Sequence, residues 1–335
     1  MNDAIRGPEV LLEAEGLTKH FLVRQGAFGS AQGIVQAVDN VTFRIHRGEA
    51  LGLVGESGCG KSTIAKLITC LHRPTAGRIR LGGQTISELS EEQLRPIRSR
   101  VQMVFQDPYS SLNPRMTAGE IVGEPLREHG RGSSAERRKS VAALFRQVGL
   151  RPELATNYPD AFSGGQRQRI GIARALALEP ELIVADEPVS ALDVSVQAQV
   201  INLMARLRAE TGVAYLFVSH DLAVVEHISD RVAVMYLGQL VEIASKRDLF
   251  SAPRHPYTEM LMQSVPSMDR RRKPRRLAVG EVPSPLNPPS GCRYRTRCPI
   301  AEPRCSRTVR PCNASGRNIL PPAMFGRVRM TLDYG

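Results

Sequence analysis

Short runs of apolar residues mark the centre of this chain. The runs at residues 182–185 and 215–218 are apolar without alternation, and such a strand is covered on both faces, as in a parallel sheet between helices. Each run is followed by polar residues or glycine, so the sequence predicts several short buried strands. The runs cover residues 50–54, 101–105, 182–185 and 215–218.

Antiparallel strands are predicted on either side of this series. Residues 11–21 indicate a short strand and a turn, and residues 25–33 are rich in Gly, Gln and Ser, which indicates a loop. Residues 41–45 alternate apolar with polar, which is typical of a half-buried antiparallel strand. Residues 231–244 alternate in the same way around a glycine and predict a closing hairpin.

Helical periodicity appears in two places. Ile64, Leu67, Ile68 and Leu71 recur at i, i+3, i+4 and i+7, which predicts a helix with one apolar face directly after the first run. From about residue 107 to 178 the pattern changes to helices joined by polar loops, which indicates an inserted helical subdomain.

The composition indicates whether the chain has a buried core, a membrane span or a signal peptide. The chain of 335 residues is 42% hydrophobic and 23% charged, so a normal buried core is expected. No run approaches eighteen apolar residues, and residues 1–8 lack the apolar core of a signal peptide. We therefore expect a soluble chain that reaches a membrane only through a partner.

The net charge of +12 is concentrated in the tail. Residues 251–335 hold 16 Lys and Arg against five Asp and Glu, so the first 250 residues are close to neutral. This distribution argues against a basic nucleic-acid-binding face on the core. The mostly basic residues 270–276 are either a solvated linker or a contact for anionic lipid or membrane subunits.

Residues 55–62, directly after the first run, match G-x-x-x-x-G-K-[ST], the P-loop motif, with a strand in front and a helix behind. The glycines let consecutive N–H groups cradle phosphate oxygens at the helix N-terminus, a surface turn being the alternative. Lys61 is expected to reach the β- and γ-phosphates, and Ser62 to ligate Mg²⁺. The Cys59 thiol lies at the helix N-terminus beside Lys61, so we expect it to favour the thiolate. The predicted ATP-binding residues are Gly55, Glu56, Ser57, Gly58, Cys59, Gly60, Lys61, Ser62 and Thr63.

Polar side chains follow the other three runs, and ligands of α/β sheets bind at the carboxyl ends of strands. Gln106 follows the second run, Asp186 and Glu187 the third, and His220 the fourth. Asp186 is expected to hold the Mg²⁺ shell, and Glu187 to orient or deprotonate the attacking water. The alternative for the carboxylates is a solvated turn, and for His220 a structural role instead of sensing the γ-phosphate.

A second anion-binding helix start lies at Ser163, Gly164, Gly165 and Gln166. One nucleotide cannot usually occupy two such sites on the same chain. Two chains packed head to tail would explain both, with the P-loop of one facing the Ser-Gly-Gly of the other.

Taken in order, these motifs resemble the nucleotide-binding subunit of an ABC transporter, over residues 21–220. The resemblance implies that two subunits enclose two ATP molecules and that Asp193 belongs to a loop at the dimer interface. It also implies that Gln106 binds nucleotide and Mg²⁺ and links them to the membrane subunits. Phe21 would stack on the base, or is an ordinary sheet residue. Phe162, where Leu is commoner, is a small departure.

The resemblance narrows at residues 106–117, 255–258 and 280–289, which are similar to the oligopeptide/dipeptide importer ATPases, in their second, F-type form. It implies a second, non-identical ATPase as partner, two transmembrane permease subunits and an extracytoplasmic peptide-binding protein. A homodimer, and nickel, opine or glycoside as cargo, remain alternatives. The chain would lie peripherally on the cytoplasmic face of the inner membrane.

The expected fold is α/β: a P-loop NTPase (RecA-like) core with an antiparallel β subdomain and the inserted helical subdomain. Residues 1–250 would form the ATPase domain, and residues 251–335 a Pro- and Cys-rich C-terminal extension.

The tail also holds four cysteines spaced C-x₅-C-x₆-C-x₆-C, without the C-x₂-C pairs of a zinc ribbon. Four thiolates and a proline after the second fit an iron–sulfur cluster, and related importer ATPases resemble this chain in carrying a [4Fe–4S] centre. Zinc, free thiols and disulfides are the alternatives. The residues are Cys292, Cys298, Cys305 and Cys312.

Two other classes are weighed against the transporter. An ABC ATPase that acts on DNA or ribosomes would carry coiled coils, paired ABC domains or zinc insertions, and none is visible. A small-molecule kinase with the same P-loop would not need the Ser-Gly-Gly-Gln motif.

Overall fold

The computed structural model describes residues 9–25, 31–107, 109, 111–263 and 280–307. Ten strands are defined in these ranges: β1 Val10–Gln25, β2 Ala31–His46, β3 Ala50–Val54, β4 Ala76–Leu81, β5 Gln84–Thr85, β6 Val101–Val104, β7 Leu182–Asp186, β8 Ala214–Ser219, β9 Arg231–Tyr236 and β10 Gln239–Ser245. The α-helices of the same ranges are α1 Lys61–Ile68, α2 Glu91–Arg100, α3 Ala118–Glu128, α4 Ser134–Gln147, α5 Gly164–Leu176, α6 Val194–Thr211, α7 Leu222–Ile228, α8 Lys246–Ser251 and α9 Pro256–Gln263.

The buried runs form the centre of a six-stranded sheet with the order β10-β9-β3-β8-β7-β6. Its ladders are parallel from β9 to β6, and only the edge strand β10 is antiparallel. Every residue of β3, β7 and β8 is buried, so these strands are covered on both faces as predicted. The predicted hairpin is the β9–β10 pair.

A four-stranded antiparallel sheet, β2-β1-β4-β5, packs beside it. The alternation in residues 41–45 is confirmed, since Val41, Phe43 and Ile45 are buried and the residues between them are exposed. The first strand is longer than predicted: β1 has 16 residues and pairs with β2 as far as Gln25 and Ala31. Gln25 and residues 31–33 are therefore strand residues and not loop, because cross-strand pairing outweighs their polar composition. Residues 26–30 of the predicted loop lie outside the described residues.

Helix α1 is confirmed but ends earlier than its periodicity indicates. Ile64, Leu67 and Ile68 are buried, whereas Leu71 lies beyond the helix and is 52% exposed. Cys70 has a φ of 55°, and the N–H of Leu71 donates to Lys66 O at 2.9 Å. A left-handed residue with such a bond to the preceding turn ends a helix, which turns Leu71 out of the apolar face.

Apolar side chains pack on both faces of the parallel sheet. One core lies between the two sheets around α1, and the other includes residues of α3 to α7. Helices α3 and α4 each begin with a capping box, Thr117 with Glu120 and Ser133 with Glu136. Among the residues that the structure describes, no helix is long and apolar enough to cross a membrane.

Candidate functional site

The loop between β3 and α1 has the backbone that its glycines require. Gly60 has a φ of 110°, and a Cβ there would lie 2.1 Å from the backbone oxygen of Ala37. A Cβ at Gly55 would lie equally close to the backbone oxygen of Met235. Neither contact is compatible with a side chain, so both glycines are needed for the close approach of β2 and β9 to this loop.

Lys61 and Ser62 are the first two residues of α1. The Lys61 ammonium is buried and donates to Gly55 O at 2.8 Å and to Glu56 O at 3.1 Å. Ser62 Oγ donates to Asp186 Oδ1 at 3.0 Å. Burial above all, and then the charge of Glu187, raises the pKa of Asp186. A hydroxyl beside a carboxylate is a pair of hard oxygen donors, so the residues present fit the Mg²⁺ that accompanies ATP.

Three strand ends meet at Glu187. Its Oε2 accepts from Gln106 Nε2 at 3.0 Å and lies 3.2 Å from His220 Nδ1. The backbone of Glu187 is left-handed, with a φ of 47°, and its N–H donates to Val218 O at 2.9 Å. The structure thus brings together the polar residues that the sequence predicts after β6, β7 and β8, and it holds the carboxylate between an amide and an imidazole.

The Ser-Gly-Gly-Gln motif starts α5 with a capping box. Ser163 N–H donates to Gln166 Oε1 at 3.0 Å, and Gln166 N–H donates to Ser163 Oγ at 3.4 Å. A Cβ at Gly165 would lie 2.5 Å from Val196 Cγ1, so glycine permits α5 to approach the start of α6. A Cβ at Gly164 would lie 3.3 Å from Leu192 Cδ2, just before Asp193, the N-cap of α6.

Phe21 lies on β1, paired with Val35 of β2. Its ring makes an edge contact with His72 at a centroid distance of 5.7 Å, and Lys19 Nζ lies 5.2 Å from the ring centre. These contacts place Phe21 beside the segment that follows α1. Its role in stacking on a base stays a prediction.

The expectation that Cys59 favours the thiolate is wrong. The residue is only 5% exposed, and this burial raises the pKa of the thiol more than the nearby Lys61 ammonium lowers it. Loss of water around a buried anion costs more than a neighbouring cation returns when that cation is already bonded to backbone oxygens. Cys59 is therefore a buried thiol in the apolar core around α1.

Three of the four tail cysteines lie in the described residues, and Cys312 lies outside them. Cys292 N–H donates to Cys305 O at 2.8 Å, and Cys298 lies in the turn between them. Within the described ranges, no group of three or more His, Cys, Asp or Glu side chains is placed to hold a metal ion. The basic residues 270–276 also lie outside the description.

One contact of the P-loop has no counterpart in the sequence motifs. Arg297, between Cys292 and Cys305, donates to both carboxylate oxygens of Glu56, and Tyr257 of α9 accepts from Glu56 N–H at 2.9 Å. No spacing rule links residues about 200 or more positions apart, so only the fold reveals these partners.

Comparison with known proteins assigns the chain to a family. Residues 38–190 match the model of the ABC transporter family, and residues 241–305 match that of the oligopeptide/dipeptide transporter C-terminal region. The oligopeptide transport ATP-binding protein AppF of Bacillus subtilis is 54% identical over 305 residues, which cover 90% of this chain and 93% of that protein. The oligopeptide transport ATP-binding protein OppF of Escherichia coli is 52% identical over 314 residues, covering 92% and 94%.

Solved structures agree. A dimeric structure of a bacterial ABC transporter cassette is 33% identical, with a TM-score of 0.63, and the match covers 71% of this chain and 99% of that one. The chain belongs to the ABC transporter family of ATP-binding proteins. Within that family it carries the C-terminal region of the oligopeptide/dipeptide transporters.

The state of Cys59 leads to a prediction about alkylation. Brief treatment of the folded chain with iodoacetamide near neutral pH should label Cys59 much more slowly than it labels the same residue in the urea-unfolded chain, because the thiol is buried and protonated. Peptide mass spectrometry measures both rates. Equal labelling of the folded and unfolded chains, with protection by ATP, would restore the thiolate interpretation.

Proposed function

We propose that this chain is the ATP-hydrolysing subunit of an importer that takes up di- and oligopeptides. The observation that carries the ATPase assignment is the convergence of Gln106, Glu187 and His220 beside the Ser62–Asp186 pair and the buried Lys61. Peptide as the cargo is supported by the relatives named above and by the match of residues 241–305.

In the proposed reaction, water attacks the γ-phosphorus of ATP and the bond from this phosphorus to the bridging oxygen breaks. Glu187 accepts the proton of the attacking water, and His220 and Gln106 hold the carboxylate in place. Lys61 and the N–H groups of the P-loop neutralise the charge of the terminal phosphates. Mg²⁺, which Ser62, Asp186 and Gln106 would hold, supplies further positive charge there when bound.

We further propose that the chain works as one half of a dimer, with a second, non-identical ATPase as partner. Ser163 to Gln166 would then act on the partner's ATP, and Asp193 would lie in the interface. Two observations support this proposal. Val194, next to Asp193, is 81% exposed although it is apolar. The similar cassette described above is itself dimeric.

The domain organisation, the other subunits and the location are proposed from the resemblance to the family. Residues 1–250 would be the ATPase domain, with helical residues 107–178 inserted, and residues 251–335 the extension. Two transmembrane permease subunits would receive the ATPase pair on the cytoplasmic face of the membrane, and an extracytoplasmic protein would deliver the peptide. Nickel, opine and glycoside importers share this type of ATPase, so they are the alternatives for the cargo.

We also propose a [4Fe–4S] cluster on Cys292, Cys298, Cys305 and Cys312. The spacing of the four residues supports it, as does the backbone hydrogen bond that joins Cys292 to Cys305. The three described cysteines do not form a metal-binding group as they are placed, so the cluster would have to draw them together with Cys312.

The ATPase assignment predicts the effect of Glu187→Gln. Turnover should fall by about 10²–10⁴-fold, the usual contribution of a general base, because the amide cannot accept the proton. ATP should still bind, since Lys61 and Ser62 are unchanged. Phosphate release and nucleotide binding are measured in parallel, with Glu226→Gln on the exposed face of α7 as the control. Hydrolysis at the parental rate in Glu187→Gln would refute the role of Glu187.

The cargo assignment predicts the behaviour of cells that lack this chain. Uptake of a radiolabelled oligopeptide should be lost, and the unsubstituted chain should restore it while Glu187→Gln should not. Uptake of labelled nickel and of a labelled glycoside is measured beside it. Unchanged peptide uptake together with lost uptake of either other cargo would reassign the transporter.

The metal proposal predicts iron and inorganic sulfide in protein purified without oxygen, and loss of both in Cys298→Ala. Elemental analysis distinguishes iron from zinc. Absence of both metals from the parental protein would remove the site.

A further inference from the structure

The second residue of the P-loop, Glu56, is held from outside the ATPase motifs. Its two carboxylate oxygens accept from Arg297, Oε2 from Nη1 at 2.8 Å and Oε1 from Nη2 at 3.1 Å. This bidentate arrangement is the strongest form of an arginine–carboxylate pair. The Glu56 N–H donates to the hydroxyl of Tyr257 at 2.9 Å. Both the backbone and the side chain of Glu56 are therefore fixed by residues far along the chain.

Arg297 is itself firmly placed. It is only 8% exposed, and its guanidinium carbon lies 5.8 Å from the ring centre of Tyr236 and 5.9 Å from that of Tyr294. A buried guanidinium without a carboxylate partner is costly, so the pair with Glu56 keeps the arginine in this position. The same pairing raises the pKa of Arg297, and the side chain stays charged.

The turn that carries Arg297 is anchored a second time. Arg293 donates to Leu237 O, and its Nη2 donates to Gln36 Oε1 and to Asp39 Oδ2, each at 2.5 Å. Of the three arginines in residues 292–298, Arg293 and Arg297 thus bind different parts of the ATPase core. Arg293 reaches β2 and the β9–β10 turn, and Arg297 reaches the P-loop.

Glu56 connects this turn to the phosphate-binding lysine. Its carbonyl oxygen accepts from Lys61 Nζ at 3.1 Å, and that of Gly55 accepts at 2.8 Å. A displaced Glu56 would shift one of these acceptors. It would also leave an unpaired carboxylate beside the site for a triphosphate, and like charges at short range repel.

We propose that Arg297 is a positioning residue for ATP binding, which pairs with Glu56 and so holds the P-loop and Lys61 in the shape that receives the phosphates. This role rests on the proposed ATP site. It makes residues 280–307 part of the nucleotide-binding unit through a contact that no ATPase motif contains.

The test is a double-mutant cycle on the full-length chain, with the dissociation constant of an N-methylanthraniloyl derivative of ATP as the readout. Arg297→Met should weaken binding by about tenfold, the scale expected for losing hydrogen bonds to a charged partner. The turnover number should change by less than about twofold, because the contacts of Glu187 are untouched. Arg295→Met is the matched control, since Arg295 Nε donates to Ser290 O within the same segment.

The second arm of the cycle separates positioning from packing. In a Glu56→Gln background, Arg297→Met should change affinity by less than about threefold, because coupled residues are not additive. The same tenfold loss in that background would show a structural role and overturn the proposal. So would an unchanged affinity in Arg297→Met, or an equal loss in Arg295→Met. If Arg297→Met does not fold, Arg297→Lys, which keeps the charge without the bidentate geometry, replaces it under the same criteria.

These outcomes are distinct from failure of the proposed function. If the unsubstituted chain does not bind the ATP derivative, the ATP site itself is wrong and this inference falls with it. If that chain binds and the Arg297 variants bind equally well, only the positioning role is refuted.

Discussion

The parallel register of β3, β8, β7 and β6 is the constraint on which the site depends. Val54 pairs with Ser219, Asp186 with Val218, and Val104 with Ala185, so each of the four strands ends within one residue of its neighbour. Neighbouring strands lie about 4.8 Å apart, and their end loops therefore meet side by side. A slip of one residue would turn the side chains to the opposite face. Complete burial of β3, β7 and β8 opposes such a slip, because side chains on both faces of these strands are closely packed and would all have to be repacked.

Glu187 is the side chain that this register positions most closely. It takes a left-handed backbone, which costs about 1–2 kcal/mol for a residue with a side chain. Its N–H bond to Val218 ties it to β8, and its carboxylate contacts Gln106 and His220 from the ends of β6 and β8. The carboxylate is thus positioned by three strands at once. Asp186, one residue earlier, points instead to Ser62 at the start of α1, so two adjacent carboxylates have separate tasks.

Local pattern was sufficient for much of this structure. Short-range periodicity predicts the buried strands and the P-loop helix. The polar residues after each strand could be placed together because strand ends in a parallel sheet share one edge. The extent of β1 and the exposure of Leu71 depended on cross-strand pairing and on a left-handed Cys70, neither of which periodicity contains. Cys59 was misjudged because proximity to a cation is visible in sequence, whereas burial of the thiol is not.

The least predictable part is the contact of the tail with the P-loop. Arg297 sits in a segment whose composition indicates only positive charge, yet it is buried and paired with Glu56. Its neighbour Arg293 holds the same turn to Asp39 and Gln36 on β2. Arg293 and Arg297 both belong to residues 292–298. A change in the shape of this turn would therefore reach the phosphate-binding loop through the ion pair of Arg297 with Glu56. Coupling between two sites is reciprocal, so under the proposed role of Arg297 a nucleotide that favours the ordered P-loop would also favour the docked position of this turn.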